Sequence, residues 1–341
     1  MEYNEYKNIE AALVEPKKIV LSAHANPDGD TIGSCIGLYH YFIQFGHQVV
    51  IISPNEAPGF LQWLPNYDKV LVFDKEPKRV KEEIKGADII FAVDYNAFHR
   101  TGEGLSTLLS EANAVKFLID HHPNPDDFFD AKISITSASS TAELVYGFIE
   151  NSNQLIKINS DVASGLYVGL LTDTGSFSFS LNSDKPYKMA AFLYNTGIDI
   201  QTINQRIYSA FTENRLRLTG FAISEKLVVN KDLRYAYIAL SKDELDRFNH
   251  QNGDTEGLVN YALGIEDIVV AVLMTEKEGK IRLSFRSKGN FEVNSIANTY
   301  FEGGGHRNAA GGNSYVSMNE TVEKLKGVLA QYKNEIHAVH L

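Results

Sequence analysis

Short apolar runs rich in Val and Ile alternate with helix-like segments through the first half of the chain, the pattern of a parallel sheet covered by helices. The runs predict strands at Lys18 to Ala23, Gln48 to Ser53, Lys69 to Phe73, Asp88 to Val93, Val115 to Ile119 and Lys132 to Thr136. The first, fourth and fifth run straight into polar residues: His24 to Asp30, Asp94 to Asn96, and Asp120 to Asn124. Ligands of open α/β sheets bind just beyond the carboxyl ends of strands, so these three loops are expected to converge. After Ser140 the pattern turns helical, over Thr141 to Glu150 and Ser160 to Leu171, and Asp173 arrives at the end of the second of these helices.

A helical stretch from Lys185 to Gly220 has little strand character and reads as a connector. Strand-like runs return at Lys226 to Asn230, Arg234 to Leu240, Asp267 to Thr275 and Lys280 to Ser287, with short helices expected between them. A closing amphipathic helix is expected from about Asn319 to Ile336. The fold class is therefore α/β, a mainly parallel sheet with helices on both faces, followed by a helical connector and a smaller α+β domain. The expected limits are 1–184, 185–223 and 224–341. A chain of 341 residues accommodates this division, at roughly 150 residues per domain.

Composition narrows the function classes. A content of 44% hydrophobic and 22% charged residues is that of a folded globular protein. The formal net charge of -11 disfavours charge-driven binding to long duplex nucleic acid, which needs many Lys or Arg contacts to phosphate. A short or mononucleotide phosphate stays open as a ligand. Cys35 is the single cysteine, so neither an internal disulfide nor a cysteine-based zinc site can form within the chain, which suits a reducing cytoplasm. Glu2, Glu5 and Glu10 stand where a signal peptide would need a basic end. No run approaches the roughly 18 apolar residues of a membrane span, so a cytoplasmic protein without a membrane partner is expected.

The strongest local chemistry is His24-Ala25-Asn26-Pro27-Asp28-Gly29-Asp30, where one imidazole and two carboxylates follow a strand directly. Pro27 and Gly29 favour a bent loop that can aim Asp28 and Asp30 at neighbouring points. Oxygen and imidazole donors without thiolates suit manganese, magnesium or iron better than structural zinc. Asp94 ends an apolar strand, Asp120-His121-His122 ends another, and Asp173 ends an apolar helix. Each alone has a plainer reading, an Asx turn or a helix cap for the acids and an incidental pair for the histidines. The conjunction decides: four segments deliver metal-type ligands to one edge of one sheet.

The series His24-x-Asn26-Pro27-Asp28-x-Asp30, Asp94, Asp120-His121-His122 and Asp173 resembles the four motifs of the DHH phosphoesterase superfamily. Gly303-Gly304-Gly305-His306 resembles the signature of its DHH-associated C-terminal domain. The resemblance spans nearly the whole chain, and in size and arrangement is strongest to short-chain members that act as oligoribonuclease (nanoRNase) and as phosphatase on 3′-phosphoadenosine 5′-phosphate. It implies a hydrolase with two divalent cations, manganese foremost, with magnesium, cobalt or iron as alternatives. It implies one metal site from His24, Asp28 and Asp94, and a second from Asp30, Asp94, His121 and Asp173, with Asp94 bridging. His122 matches a substrate-facing histidine, Asp120 would orient its neighbours, and Arg100 stands where an arginine often precedes a glycine, although a structural ion pair would also explain it.

Recognition is expected from the second domain. Gly303, Gly304 and Gly305 let backbone N–H groups approach a phosphate, with His306 and Arg286 adding charge-assisted bonds; a flexible turn and a solvent-facing strand arginine are the plainer readings. Short RNA or a nucleotide bisphosphate is the expected substrate. Cyclic dinucleotides or their linear products, polyphosphate or pyrophosphate, and a non-catalytic nucleotide-binding role are the alternatives. The quaternary state is open, a homodimer being one option.

Overall fold

The first half of the chain folds into six strands: β1 (Lys18–Ser22), β2 (Gln48–Ser53), β3 (Leu71–Val72), β4 (Ile89–Val93), β5 (Val115–Asp120) and β6 (Ala131–Ser134). The structure, a computed structural model, describes residues 2–179, 181–209, 211–277 and 279–340. The strands form one sheet in the order β3-β2-β1-β4-β5-β6, every pairing parallel. β3 is shorter than the apolar run suggests, because Asn66 takes a left-handed conformation and Tyr67–Lys69 close into a tight turn before it.

Among the described residues, eight α-helices accompany these strands: α1 (Glu2–Ala12), α2 (Gly29–Phe42), α3 (Pro77–Lys85), α4 (Glu103–Glu111), α5 (Thr141–Asn151), α6 (Ser160–Asp173), α7 (Lys185–Tyr194) and α8 (Ile200–Tyr208). Alternate strand residues point to opposite faces. Ile19, Leu21, Phe91 and Val93 pack with Ile32 and Ile36 of α2, Leu144 of α5 and Leu166 of α6. Val20, Ile90, Ala92 and Leu118 pack instead with Val80 and Ile84 of α3 and Leu105 and Leu109 of α4. Burial on both faces is why these strands read as continuous apolar runs rather than as alternating ones. Gly33 on α2 faces Gly165 and Gly169 on α6 with no room for a side chain, so the two helices meet backbone to backbone.

The chain divides into two compact units, Met1–Ala210 and Phe211–Leu341. The second contains α9 (Glu213–Phe221), β7 (Leu227–Asn230), β8 (Tyr235–Leu240), α10 (Lys242–Arg247), α11 (Leu258–Leu263), β9 (Val270–Lys277), β10 (Lys280–Ser287), α12 (Val293–Tyr300), β11 (Gly304–His306), β12 (Ala309–Ser314), α13 (Met318–Gln331) and α14 (Lys333–His337). Its sheet runs β11-β12-β10-β9-β8-β7, parallel only between β8 and β9. Short helices separate β8 from β9 as expected, whereas β7–β8 and β9–β10 are direct hairpins. The glycine-rich segment is also a hairpin, with Gly304 opposite Gly311 and His306 opposite Ala309. At Gly303 a Cβ would fall 1.9 Å from the Gly311 carbonyl oxygen, so only glycine fits there. Among the described residues, no helix is long and apolar enough to cross a membrane.

Candidate metal centre

In the strand order, the chain moves outward from β1 through β2 and β3 on one side and through β4, β5 and β6 on the other. The reversal between β1 and β4 opens a crevice at the carboxyl ends of those strands, the usual ligand position of a doubly wound sheet. His24 to Asp30 leave β1 there, Asp94 leaves β4, and Asp120 closes β5 with His121 and His122 behind it. Asp173 reaches the same place from the end of α6.

Local structure aims each side chain. Asp28 caps α2, its Oδ1 accepting from the N–H groups of Asp30 at 3.0 Å and Thr31 at 3.1 Å. Its Oδ2 faces His24 Nε2 at 3.8 Å, so the cap and the ligand-type role belong to one carboxylate. The Thr31 hydroxyl donates to the Val93 carbonyl at 3.0 Å and ties the start of α2 to the end of β4. Asp94 has φ +66°, the left-handed region that short polar side chains tolerate. Its N–H still donates to Ile119 O at 3.0 Å, which anchors the turn that swings its carboxylate into the crevice.

Asp94 is the centre of the cluster. His24 Nε2 lies 3.5 Å from its Oδ2, while His121 Nε2 lies 3.6 Å and His122 Nδ1 3.8 Å from its Oδ1. His121 Nε2 is also 3.5 Å from Asp173 Oδ2 and 3.9 Å from Asp30 Oδ2. Donor atoms of His24, Asp28 and Asp94, of Asp30, Asp94 and His121, and of Asp94, Asp120 and His122 each fall within 4.8 Å of one another.

The donor set fits divalent cations. His24 Nδ1 contacts the Ala25 carbonyl at 3.0 Å and His121 Nδ1 the Ala138 carbonyl at 3.3 Å. A carbonyl only accepts, so the proton belongs on Nδ1 and the Nε2 lone pair faces the carboxylates. Lone pairs and carboxylate oxygens facing one another at these distances repel unless a proton or a metal cation lies between them. Two donors each about 2.0–2.2 Å from one ion sit roughly 3–4 Å apart, the spacing seen here.

The charges tell the same story. Asp94 is 2% exposed, and burial, with the charges of Asp30, Asp28, Asp120 and Asp173, holds its carboxyl well above the usual range. Burial and then Asp173 push Asp30 up to about 7, with His121 opposing. Burial lowers His24 despite the Asp28 charge. Burial would lower His121 too, but the charges of Asp173, Asp30 and Asp120 outweigh it and raise it. Burial works to raise Asp120, yet the hydrogen bond and charge of His122, together with His121, hold it low. A pocket crowded with carboxylates is short of positive charge, which a bound cation supplies.

Two groups that the sequence reading did not single out complete the site. Thr141 Oγ1 donates to Asp94 Oδ1 at 2.8 Å, and the backbone N–H groups of Thr141 and Ala142 donate to Asp30 at 2.6 and 2.9 Å. The N-terminus of α5 therefore stabilises the buried Asp30 carboxylate. The Ser140-x-x-Glu143 spacing marks this helix start, since Ser140 Oγ accepts from Glu143 N–H.

His24, Asp28, Asp30, Asp94, Asp120, His121, His122 and Asp173 thus meet in the first unit. Arg100 lies beside them, close enough for its charge to act on His24. Arg286, Gly303, Gly304, Gly305 and His306 lie in the second unit. There Ala309 pairs with His306 on one side and Arg286 on the other, so those two residues flank it on one face of the sheet.

Fold and cluster together define a class: a doubly wound α/β protein with a buried carboxylate and imidazole centre compatible with divalent metals, followed by a mixed-sheet α+β unit. Residues 18–170 match the DHH family, N-terminal domain, and residues 232–337 match the DHHA1 domain. The chain belongs to the DHH phosphoesterase family and is a hydrolase of phosphate esters. It is 30% identical over 328 residues, covering 95% of this chain and 99% of the other, to the probable bifunctional oligoribonuclease and PAP phosphatase NrnA of Streptococcus mutans. It is 29% identical over 298 residues, 87% of this chain and 89% of the other, to the bifunctional oligoribonuclease and PAP phosphatase NrnA of Bacillus subtilis. An exopolyphosphatase-related protein from Bacteroides fragilis, solved by crystallography, superposes with a TM-score of 0.92 at 36% identity, covering 98% of each chain.

Proposed function

We propose that this chain hydrolyses very short RNA and 3′-phosphoadenosine 5′-phosphate by in-line attack of water, with two divalent cations, manganese foremost. The observation that carries the reading is the placement of Asp94, one oxygen toward His24 and the other toward His121. His24, Asp28 and Asp94 would hold one cation, and Asp30, Asp94, His121 and Asp173 the other. Bound there, the pair supplies Lewis-acid charge for the phosphoryl oxygens and a lowered pKa for the attacking water.

The chain's own groups do the rest. Asp120 Oδ1 lies 2.7 Å from His122 Nδ1 and orients that ring, which would meet a phosphoryl oxygen or protonate the leaving oxygen once substrate is bound. Arg100 supports the same anion from the β4 side. Within the second unit, Arg286 and His306, flanking the small Ala309, would offer a guanidinium and an imidazole to a phosphate, with the neighbouring glycines giving it access to backbone. The names of the relatives support the substrate class. The acidic balance of the chain favours a substrate with few phosphates.

The test is incubation with manganese and a dinucleotide RNA, and separately with the adenosine bisphosphate. Mononucleotide and free phosphate are the expected products. No product from either substrate, or clearly faster turnover of a cyclic dinucleotide or of polyphosphate, overturns the assignment.

A further inference from the structure

Three enclosed polar atoms at the ends of neighbouring strands have no protein partner in ordinary hydrogen-bond geometry: Ser22 Oγ, the Tyr95 hydroxyl and Asp120 Oδ2. All three residues are 0% exposed. They come from neighbouring strand ends, since Ser22 closes β1, Tyr95 follows β4 and Asp120 closes β5, and β1, β4 and β5 are adjacent. Alternation along the strands puts Ser22 on the face of Val20 and Asp120 on the face of Leu118. Val20, Leu118 and the Tyr95 ring belong to the same apolar cluster on the α3 and α4 side. Burial keeps the Tyr95 phenol protonated against the opposing effect of the Ser22 hydroxyl, which lies near enough for a long hydrogen bond, and the Asp120 charge adds to the effect of burial.

A phenol is a poor choice for that position on packing grounds. The Tyr95 ring sits against Phe98, with ring centroids 6.3 Å apart, and phenylalanine would fill the same space. A hydroxyl sealed from solvent is unfavourable there unless it is bonded. Two hydroxyls that both donate and accept, and one carboxylate oxygen that accepts, make a complementary set for a single internal water. We propose that Tyr95 and Ser22, through one enclosed water, hold Asp120 Oδ2, so that Tyr95 is a positioning residue for His122.

The other Asp120 oxygen is already engaged by His122 Nδ1. Gripping both oxygens fixes the carboxylate rotamer and with it the direction of the imidazole. Ligand-orienting groups behind a metal site act in this way, and losing one lowers activity while leaving the ligands in place. The inference rests on His122 facing the substrate, as proposed above.

The test uses the full chain carrying Tyr95→Phe, Ser22→Ala, Asp120→Asn, and Tyr95→Phe combined with Asp120→Asn. Steady-state kinetics on a dinucleotide RNA are paired with the Nδ1–H proton resonance of His122 in histidine-labelled protein containing magnesium, a diamagnetic ion. Tyr95→Phe is expected to lower kcat about 10-fold, with KM moving less than about 2-fold, and to shift or broaden the His122 resonance. In the Asp120→Asn background it is expected to add no further loss, because its effect passes through Asp120. Ser22→Ala is expected to move the same resonance with the Tyr95 ring packing intact. An unmoved resonance in both single variants, or an equal loss with and without Asp120, overturns the proposal. If the unmodified chain turns over no substrate, the proposed function falls while the resonance still decides the relay.

Discussion

A Cβ placed on Gly33 would stand 2.4 Å from the carbonyl oxygen of Gly165, so α2 and α6 approach more closely than any pair of side chains would allow. Gly29, Gly33 and Gly37 recur at every fourth position of α2, and Gly165 and Gly169 do so on α6, which gives each helix a bare stripe. The approach has a consequence for chemistry. Asp30 near the start of α2 and Asp173 at the end of α6 come to lie 3.9 Å and 3.5 Å from the same His121 Nε2.

Gly33→Ala should therefore damage both stability and the site. Its methyl meets backbone atoms of Gly165 and Gly169, which cannot rotate away as a flexible side chain would. Overpacking of this kind costs about 1–3 kcal/mol, read as a lower urea midpoint at an unchanged slope. Manganese affinity, measured by calorimetry, should fall with it. A midpoint equal to that of the parent chain would show that the helices have slack.

Thr141→Val separates the two contacts that this residue makes. The substitution removes the hydroxyl that donates to Asp94 Oδ1 at 2.8 Å and keeps the backbone N–H that donates to Asp30. Groups that orient metal ligands are worth about 10–100-fold in metal affinity or activity, and the change should lie in that range. The fold should lose only about 1–2 kcal/mol. Metal titration followed by denaturant unfolding reads both. Full metal affinity in the variant would mean that Asp94 is held well enough by its backbone turn.

How much of this was legible in the sequence follows from what each contact is made of. Asp94, Asp120 and His121 stood out because parallel strands buried on both faces read as unbroken apolar runs, and a polar residue at their ends has left the core. The amides of Thr141 and Ala142 have no such signature, because every residue except proline carries an N–H. The Ser140-x-x-Glu143 spacing could have marked a helix start, but not what that start points at. The glycine stripes were visible as a spacing, but facing partners on α2 and α6 are known only once the helices are packed. In the second unit, Gly304 to His306 form a strand against low β propensity, since pairing with β12 overrides local preference.

The stabilising effect of metal should grow as pH rises from about 6.5 to 8. In the metal-free chain Asp30 titrates near 7, against an ordinary 3.8. Its contribution to stability is complete below the ordinary value and is fully lost once pH has risen through the folded one near 7, because between the two values the folded state keeps a proton that the unfolded state has already released. Asp94, raised well above its ordinary value, and His121, raised from 6.5, act in the same direction and carry the loss through the upper part of the window. Lowered Asp120 matters only below about pH 4. Lowered His24 acts below its ordinary 6.5, outside the window. The melting temperature of chelator-treated protein should fall across this range, while that of manganese-loaded protein holds. A gap between the two curves that narrows toward pH 8 would contradict the assignment of these carboxylates as ligands.

Asp94→Asn should cut turnover severely and make the metal-free protein more stable. Asparagine tolerates the left-handed backbone at this position, so the fold is expected to survive. It also removes a buried carboxylate that Asp30, Asp28, Asp120 and Asp173 all oppose, which should raise the melting temperature in chelator. With manganese the order should reverse, because one amide oxygen could not serve two cations as the two oxygens of a bridging carboxylate would. Calorimetry should find the stoichiometry falling from two ions per chain to one, and kcat should drop on the order of a thousandfold. Parent-like turnover in this variant, or two ions still bound with undiminished affinity, would remove Asp94 from the bridge. An unchanged melting temperature in chelator would mean that the metal-free pocket does not feel the crowding of charge that its geometry describes.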